Sequence, residues 1–480
     1  MDGNGQKTIG TWLGRLADRF RFTYDAVTDK NRRRPPVTRL RTEDEELTQT
    51  QRGQLITSTR DLYRNFALAA WAIRKHLDYV STFRFQSRSG LPGGVDDRIE
   101  GLMRWWMRAG NFDVAGRHSL RRMIRLAEAR AVLDGDVFLM RLADGRVQAI
   151  EGDRVRTPNV IEGANAPAPA SLVHGVELAP EGRVLRYAVC KRLGGEGRFQ
   201  LERMVPVENL LQHAFFDRFD QVRGVSPIAA ALNSFQDVYE GIDYALAKAK
   251  VAQLFALAFY RESLEPPGTV ETEEDEEGKP KYNIDFSRGP VMMDLEPGDR
   301  AEFLESHQPS SEFQSFCQVV ISASLKALDI PFSFFDEAYT NYSGARQALL
   351  QYEQAAEDKQ QNIRDDLLDP LTTWRLGLWI ANGKLQLPVG TRFEALRWEW
   401  IPAGIPWIDP LKEVQADVTA IGAALASRTR ILKMQGADFF DVADELAAEN
   451  QYLEALGLPT AVSPGNAQIV EIAGSGKGGK

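Results

Sequence analysis

Reactive chemistry needs complementary side chains at short spacing, and the residues best able to supply it are dispersed. The five histidines, His76, His118, His174, His213 and His307, stand singly, so each reads as a packed or surface residue rather than a metal ligand. Cys190 and Cys317 lie far apart without a CxxC or CxxH spacing, which supports neither a disulfide framework nor a zinc site; both read as buried free thiols in a reducing cytoplasm. A phosphate-cradling loop needs a lysine followed by Ser or Thr at the start of a helix, and neither Gly3–Thr8 nor Gly474–Lys480 fits. No G-x-S-x-G elbow occurs. Eight carboxylates crowd residues 262–281, among them Glu273, Glu274, Glu276 and Glu277, without a histidine to complete a catalytic set, and such a run reads as a solvated loop. The chain is therefore expected not to be an enzyme, and to use no cofactor and no metal.

The elements that would position any site follow from composition and periodicity. At 480 residues, 43% hydrophobic and 26% charged, the chain is an ordinary globular one of about three structural units. Its net charge of −9 argues against a uniformly basic nucleic-acid coat. The polar start and the lack of an apolar run near 20 residues predict a soluble protein, intracellular when made and without a membrane partner. The basic run Arg32–Arg34, the prolines after it and the acidic run Glu43–Glu46 suit an extended arm. Helical spacing starts near Arg60 and runs to Leu77, and a second helix follows Gly116 through Leu126. From Ala131 to Phe216 short β-prone runs broken by turns, such as Val137–Leu142 then Val147–Ile150, predict a β-containing subdomain.

Ser226-Pro227 is a strong helix start, and nothing interrupts the pattern until Pro266, so one helix of about 35 residues, roughly 50 Å long, is expected, with Gly241 its weak point. A shorter helix follows over Ser311–Leu328. Another long one runs from Ser343 to about Ala381, bent at Pro370. Trp398, Trp400 and Trp407 cluster after it, then two compact helices, Leu411–Ala426 and Phe439–Leu456, and a flexible tail beyond Pro459.

Four segments in this order carry a resemblance: Arg60-Asp61-Leu62-Tyr63-Arg64-Asn65, Arg223-Gly224-Val225-Ser226-Pro227, Asn341-Tyr342-Ser343-Gly344-Ala345-Arg346, and Trp407-Ile408-Asp409-Pro410-Leu411-Lys412-Glu413. Together they resemble phage portal proteins of the lambda type over about residues 60–457. The resemblance implies an α+β, mainly α-helical portal fold, with long stem and spine helices, a β-containing wing, a clip insertion and a helical crown. It divides the chain into an N-terminal arm (1–59), a wing (60–225), a stem helix (226–261), a clip (262–310), a second stem helix (311–328), a tunnel loop (329–342), a bent spine helix with the rest of the wing (343–406), a crown (407–459) and a tail (460–480). It also implies a homo-oligomeric ring of about twelve copies at a capsid vertex in the virion, assembled in the host cytoplasm, through which double-stranded DNA passes without sequence specificity. The terminase large subunit, a head-tail connector protein and a major capsid or scaffold protein would be its partners.

On that basis Phe335, Asp336, Glu337, Thr340 and Asn341 would face DNA from the tunnel loop, with Lys248 and Lys250 as guides on the stem, unless those lysines simply pair with Glu240 or Asp243. Glu273, Glu274, Glu276 and Glu277 would dock partners at the clip. The competing readings are a helical scaffold or head-completion protein without a tunnel, and a packaging enzyme.

Overall fold

The computed structural model describes residues 40–159, 172–194, 197–254, 257–261, 299–303, 311–336, 342–404 and 409–459, and they form an α+β fold that is mainly helical. Two compact units emerge. One holds the described residues up to Gln54 together with Arg154–Val207 and Phe216–Gly224; the other holds Leu55–Asp153, Glu208–Phe215 and the chain from Val225 onward.

The chain opens on helix α1 (Glu43–Glu46), then α2 (Gln49–Asn65) and α3 (Ala67–Val80). The acidic run expected in a solvated arm is thus a helical turn, because the Glu45 carboxylate turns back to accept the main-chain N–H of Thr42, and residues 49–59 belong to a helix rather than an arm. The single helix expected from Arg60 to Leu77 starts eleven residues earlier and breaks at Phe66. There the backbone turns extended and the ring packs on Phe235 and Tyr239. Strand β1 (Phe83–Ser87) and helices α4 (Val95–Trp106) and α5 (Ala109–Phe112) follow, and then α6 (Leu120–Asp134), where Ser119 caps the helix expected after Gly116.

The β-rich stretch expected as one subdomain is divided between the two units. Strands β2 (Asp136–Arg141) and β3 (Val147–Glu151) form the expected hairpin, and β2 also pairs with β8 (Leu210–Ala214) in the second unit. Strands β4 (Leu172–Val173), β5 (Val176–Leu178), β6 (Val184–Arg192) and β7 (Phe199–Pro206) make a separate antiparallel sheet in the first unit. That first unit closes around Arg223, whose buried guanidinium donates to the carbonyls of His174 and Val155. Gly175 has a positive φ and lies against the Arg156 backbone, where a Cβ would come within 2.4 Å, so only glycine fits this corner.

After a 3-10 turn at Pro227–Ala231, helix α7 (Leu232–Leu254) gives way to strand β9 (Leu257–Arg261), which pairs antiparallel with β10 (Asp299–Phe303). The unbroken helix expected to Arg261 therefore stops at Leu254. The aromatic Phe259 and Tyr260 favour an extended backbone, and the ladder to β10 satisfies the main-chain groups that an eighth helical turn would have bonded. Helix α8 (Ser311–Leu325) continues as a 3-10 turn to Leu328, matching expectation.

The long bent helix is α9 (Tyr342–Ile363) and α10 (Asp369–Ala381), joined without a gap by a π-helical turn at Arg364–Leu368. Pro370 has no N–H to give to Asp366, and the wider π turn absorbs that missing bond just ahead of it. Strand β11 (Trp398–Pro402) pairs with β1, and Trp400 and Trp398 both enter the core around Trp106 and Trp379. Three helices rather than two end the described chain: α11 (Pro410–Gly422), α12 (Arg428–Met434) and α13 (Phe439–Ala455), capped by Asp409, Ser427 and Asp438. The extra one, α12, is seven residues long, too short for a period to show.

Candidate functional site

The long helices are tied down at their starts. Ser226 Oγ accepts from the N–H of Ile228 and donates to the carbonyl of Val132, 2.7 Å away, so the Ser-Pro start is pinned to the C-terminal half of α6. α7 then lies along α8, where Gly241 faces the ring of Phe313. Beyond that contact their surfaces are strongly apolar and uncovered. Tyr244 and Val319 are each 69% exposed, Phe316 64%, and Tyr239, Ile242 and Leu246 about half. Lys248 and Lys250 are exposed on the same helix, and neither forms an ion pair with Glu240, Asp243 or any other described residue. The three C-terminal helices bury no residue at all, leaving Leu411, Val418, Leu425, Met434 and Tyr452 open.

The segment between α8 and α9 is anchored by aromatics. Asp329 takes a left-handed backbone that ends the helix, and Lys359 of α9 holds both its carboxylate and the carbonyl of Leu328. Phe334 stacks on Tyr79 and meets Tyr352 edge-on, with Tyr352 fully buried. Phe335 is 41% exposed and rests edge-on against Trp71. Asp336 donates its N–H to the carbonyl of Phe332. Glu337, Thr340 and Asn341 lie outside the described residues, as do Glu273, Glu274, Glu276 and Glu277, Trp407, the basic run at Arg32–Arg34, His307 and the tail.

Residues of the four motifs prove to be fasteners. Arg60 reaches Asp134, Glu151 and Asp153, tying α2 to the β2–β3 hairpin. Arg223 closes the first unit, Ser226 starts α7, and Arg346 of α9 pairs with Glu413 of α11. Cys190 is buried as expected, and burial pushes its thiol up to about 11, while Cys317 is only partly buried because α8 is open on one side.

Two of the histidines that stand singly in the sequence come together. His76 of α3 and His213 of β8 flank Glu128 of α6, at 2.6 and 2.7 Å, and the other ring nitrogen of His213 meets Asp366 in the π turn at 2.8 Å. Glu128 is 1% exposed and His76 and His213 no more than 3%. Burial alone would raise the Glu128 carboxyl, yet the hydrogen bonds from His213 and His76 hold it well below the usual carboxylate range. Burial alone would likewise lower His213, and its bonds to Asp366 and Glu128 instead raise it to about 9. A chain of hydrogen-bonded side chains thus runs from the core to the partly exposed Asp366 and joins four elements. The signal for it was available, since Glu128 sits on the apolar stripe of α6, four residues after Ile124 and three before Ala131, where an unpaired charge has no place. Among the described residues no group of three or more His, Cys, Asp or Glu can hold a metal, and no helix is long and apolar enough to cross a membrane.

The described residues thus present long helices with exposed apolar faces, fastened at their starts by hydrogen bonds and ion pairs. A family model described as phage portal protein, lambda family, matches residues 30–360, and the chain belongs to that family. It is 24% identical over 387 residues to a probable portal protein of Halomonas phage phiHAP-1, covering 75% of this chain and 71% of that one. Similar solved chains come from gene transfer agent particles. One, from the virion of a native particle, is 15% identical with a TM-score of 0.41 and covers 86% of this chain and all of its own. Another, from the neck of an empty particle computed with C6 symmetry, is 14% identical with a TM-score of 0.43 and covers 85% of this chain and 94% of its own.

Proposed function

We propose that about twelve copies of this chain close into a ring at one vertex of the capsid, and that the ring is the channel through which double-stranded DNA is packaged and later ejected. The observation that carries this reading is the uncovered apolar surface of α7 and α8 in a member of the portal family, because a closed ring gives every copy the same neighbour on each side and buries both faces. The terminase large subunit docks at residues 262–310, and a head-tail connector protein replaces it. A major capsid or scaffold protein surrounds the wing. A channel with this chain's negative balance repels phosphate, so DNA slides instead of sticking, and Lys248 and Lys250 serve as weak guides.

Phe335, Asp336, Glu337, Thr340 and Asn341 face the DNA. The seats of Phe334 on Tyr79 and of Phe335 on Trp71 support this reading, since an anchored base lets the tip move while the helices on either side stay fixed. The chain supplies the conduit and neither hydrolyses ATP nor cleaves DNA. Electron microscopy of the purified protein tests the ring directly, and a stable monomer at micromolar concentration by light scattering overturns it. Packaging in vitro by rings lacking Asp336–Thr340 tests the loop: shortened or unretained DNA is expected, and normal packaging and retention by well-formed rings would reduce the segment to a connector.

A further inference from the structure

Among the described residues strand β1 has one partner, β11, and its other edge opens into a cleft of about 490 Å³. The register decides which main-chain groups face that cleft. Arg88 N–H bonds to Arg397 and Ala403 N–H to Thr82, so residues 82, 84, 86 and 88 turn their main-chain groups toward β11, while Phe83, Phe85 and Ser87 turn theirs outward. Ser87 N–H is taken by the carboxylate of Glu100. No described residue pairs with the outward N–H and C=O of Phe83 and Phe85, although Phe85 is only 7% exposed. A strand edge whose main-chain groups face a cleft is a ready template for pairing with another strand.

The cleft has a chemical character. Met107 and Leu120 line it with Phe83 and Phe85, and the exposed Arg104 and Arg121 stand in its wall. Its two carboxylates are already engaged, Asp441 by Arg84 and Gln86, and Glu100 by Gln86 and Ser87. An extended segment alternating apolar side chains with a carboxylate would match it.

We propose that the cleft takes the chain's own residues 468–472, Gln-Ile-Val-Glu-Ile, as a short strand added to the free edge of β1. Val470 and Ile472 would continue the apolar face of Phe83 and Phe85, and Glu471, on the alternate face, would meet Arg104 and Arg121. The reach is sufficient. Asp441 stands in the cleft wall near the start of α13, and the helix carries the chain about 21 Å away by Ala455. The residues between 459 and 468 can span up to about 30 Å, enough to return. The proposal is independent of the ring, since it concerns contacts within one chain.

Hydrogen exchange read by mass spectrometry on the peptide spanning Phe83–Ser87 tests it, comparing the full chain with one truncated after Pro459. Truncation is expected to speed exchange there about tenfold or more, and a synthetic peptide of residues 465–474 is expected to restore the protection. Glu471→Lys in the full chain should mimic truncation, and adding Arg121→Glu to it should recover protection, which a merely structural role of Arg121 would not do. Equal exchange in full and truncated chains overturns the proposal, as does failure of the peptide to protect the truncated one. In mixtures of isotope-labelled truncated chains with full-length ones, protection gained by the truncated chains would assign the strand to a neighbouring copy and overturn the seat within one chain; its absence supports the seat proposed.

Discussion

The interior joined by α3, α6, β8 and the π turn buries the carboxyl of Glu128 and the ring of His213, whereas α7, α8 and the three C-terminal helices leave large apolar side chains exposed. Each is the reverse of what a water-soluble monomer prefers, and the reasons differ. In the interior, Glu128 and His213 meet their partners within 2.8 Å, so the chain of His76, Glu128, His213 and Asp366 fixes how four elements meet. In the helical region no described residue covers Tyr244, Phe316 or Val319, and on the proposed reading a neighbouring copy buries that apolar area. On that reading the first region is finished by folding and the second by assembly.

Removing the central charge should have the largest effect on the first region. Glu128→Ala leaves two buried imidazoles without their common partner and is expected to cost about 3–5 kcal/mol, read as the shift of the denaturant midpoint. A loss below about 1 kcal/mol would mean that the chain of charges is dispensable.

The same region should carry a pH signature. His213 is raised from 6.5 to about 9, so its contribution is complete below pH 6.5 and is lost as the pH rises through 9, an expected decline on the order of 3 kcal/mol. Glu128 is lowered, so its contribution is complete above pH 4.5 and is lost as the pH falls below that toward its folded value. The contribution of this pair is therefore greatest between about pH 4.5 and 6.5, and His213→Gln should flatten its alkaline limb. An unchanged limb in that variant would assign it to other groups.

The assembly region should respond in the opposite sense to a new charge. Ile242→Asp with Val319→Asp is expected to leave the subunit's denaturant midpoint within about 0.5 kcal/mol of the parent, because both side chains are exposed, while abolishing the assembled species in light scattering. Intact rings in the double variant would place the interface elsewhere. The smallest effect expected is a gain: Gly241→Ala adds a methyl 3.7 Å from the Phe313 ring, an ordinary contact, and removes a flexible residue from mid-helix, raising stability by about 0.5–1 kcal/mol. Destabilisation there would show that α7 and α8 pack more closely than this distance.

Much of this division could be read along the chain. The Ser-Pro start of the 3-10 turn that leads into α7, the hairpins β2–β3 and β6–β7, the irregular turn ahead of Pro370 and the caps Asp409 and Asp438 all rest on local rules, in which a residue's own backbone preference or its bond to the next turn decides the outcome. Strand β9 escaped because the helix formers Leu257 and Ala258 stand beside the strand-favouring Phe259 and Tyr260, and its partner β10 lies almost forty residues further on.

The amino-acid sequence by itself determined the mainly helical α+β class, the order of the long helices and, through four short motifs, the family, since each depends on periodicity or on neighbours a few residues apart. Only the tertiary structure decided that β2 and β3 belong with β8 while β4–β7 form another sheet, that two isolated histidines share Glu128, and that no described strand pairs with one edge of β1. The physical reason is common to all three. Pairing between strands, and between buried charges, joins positions tens to hundreds of residues apart, and which of them meet is chosen by packing that no local spacing records.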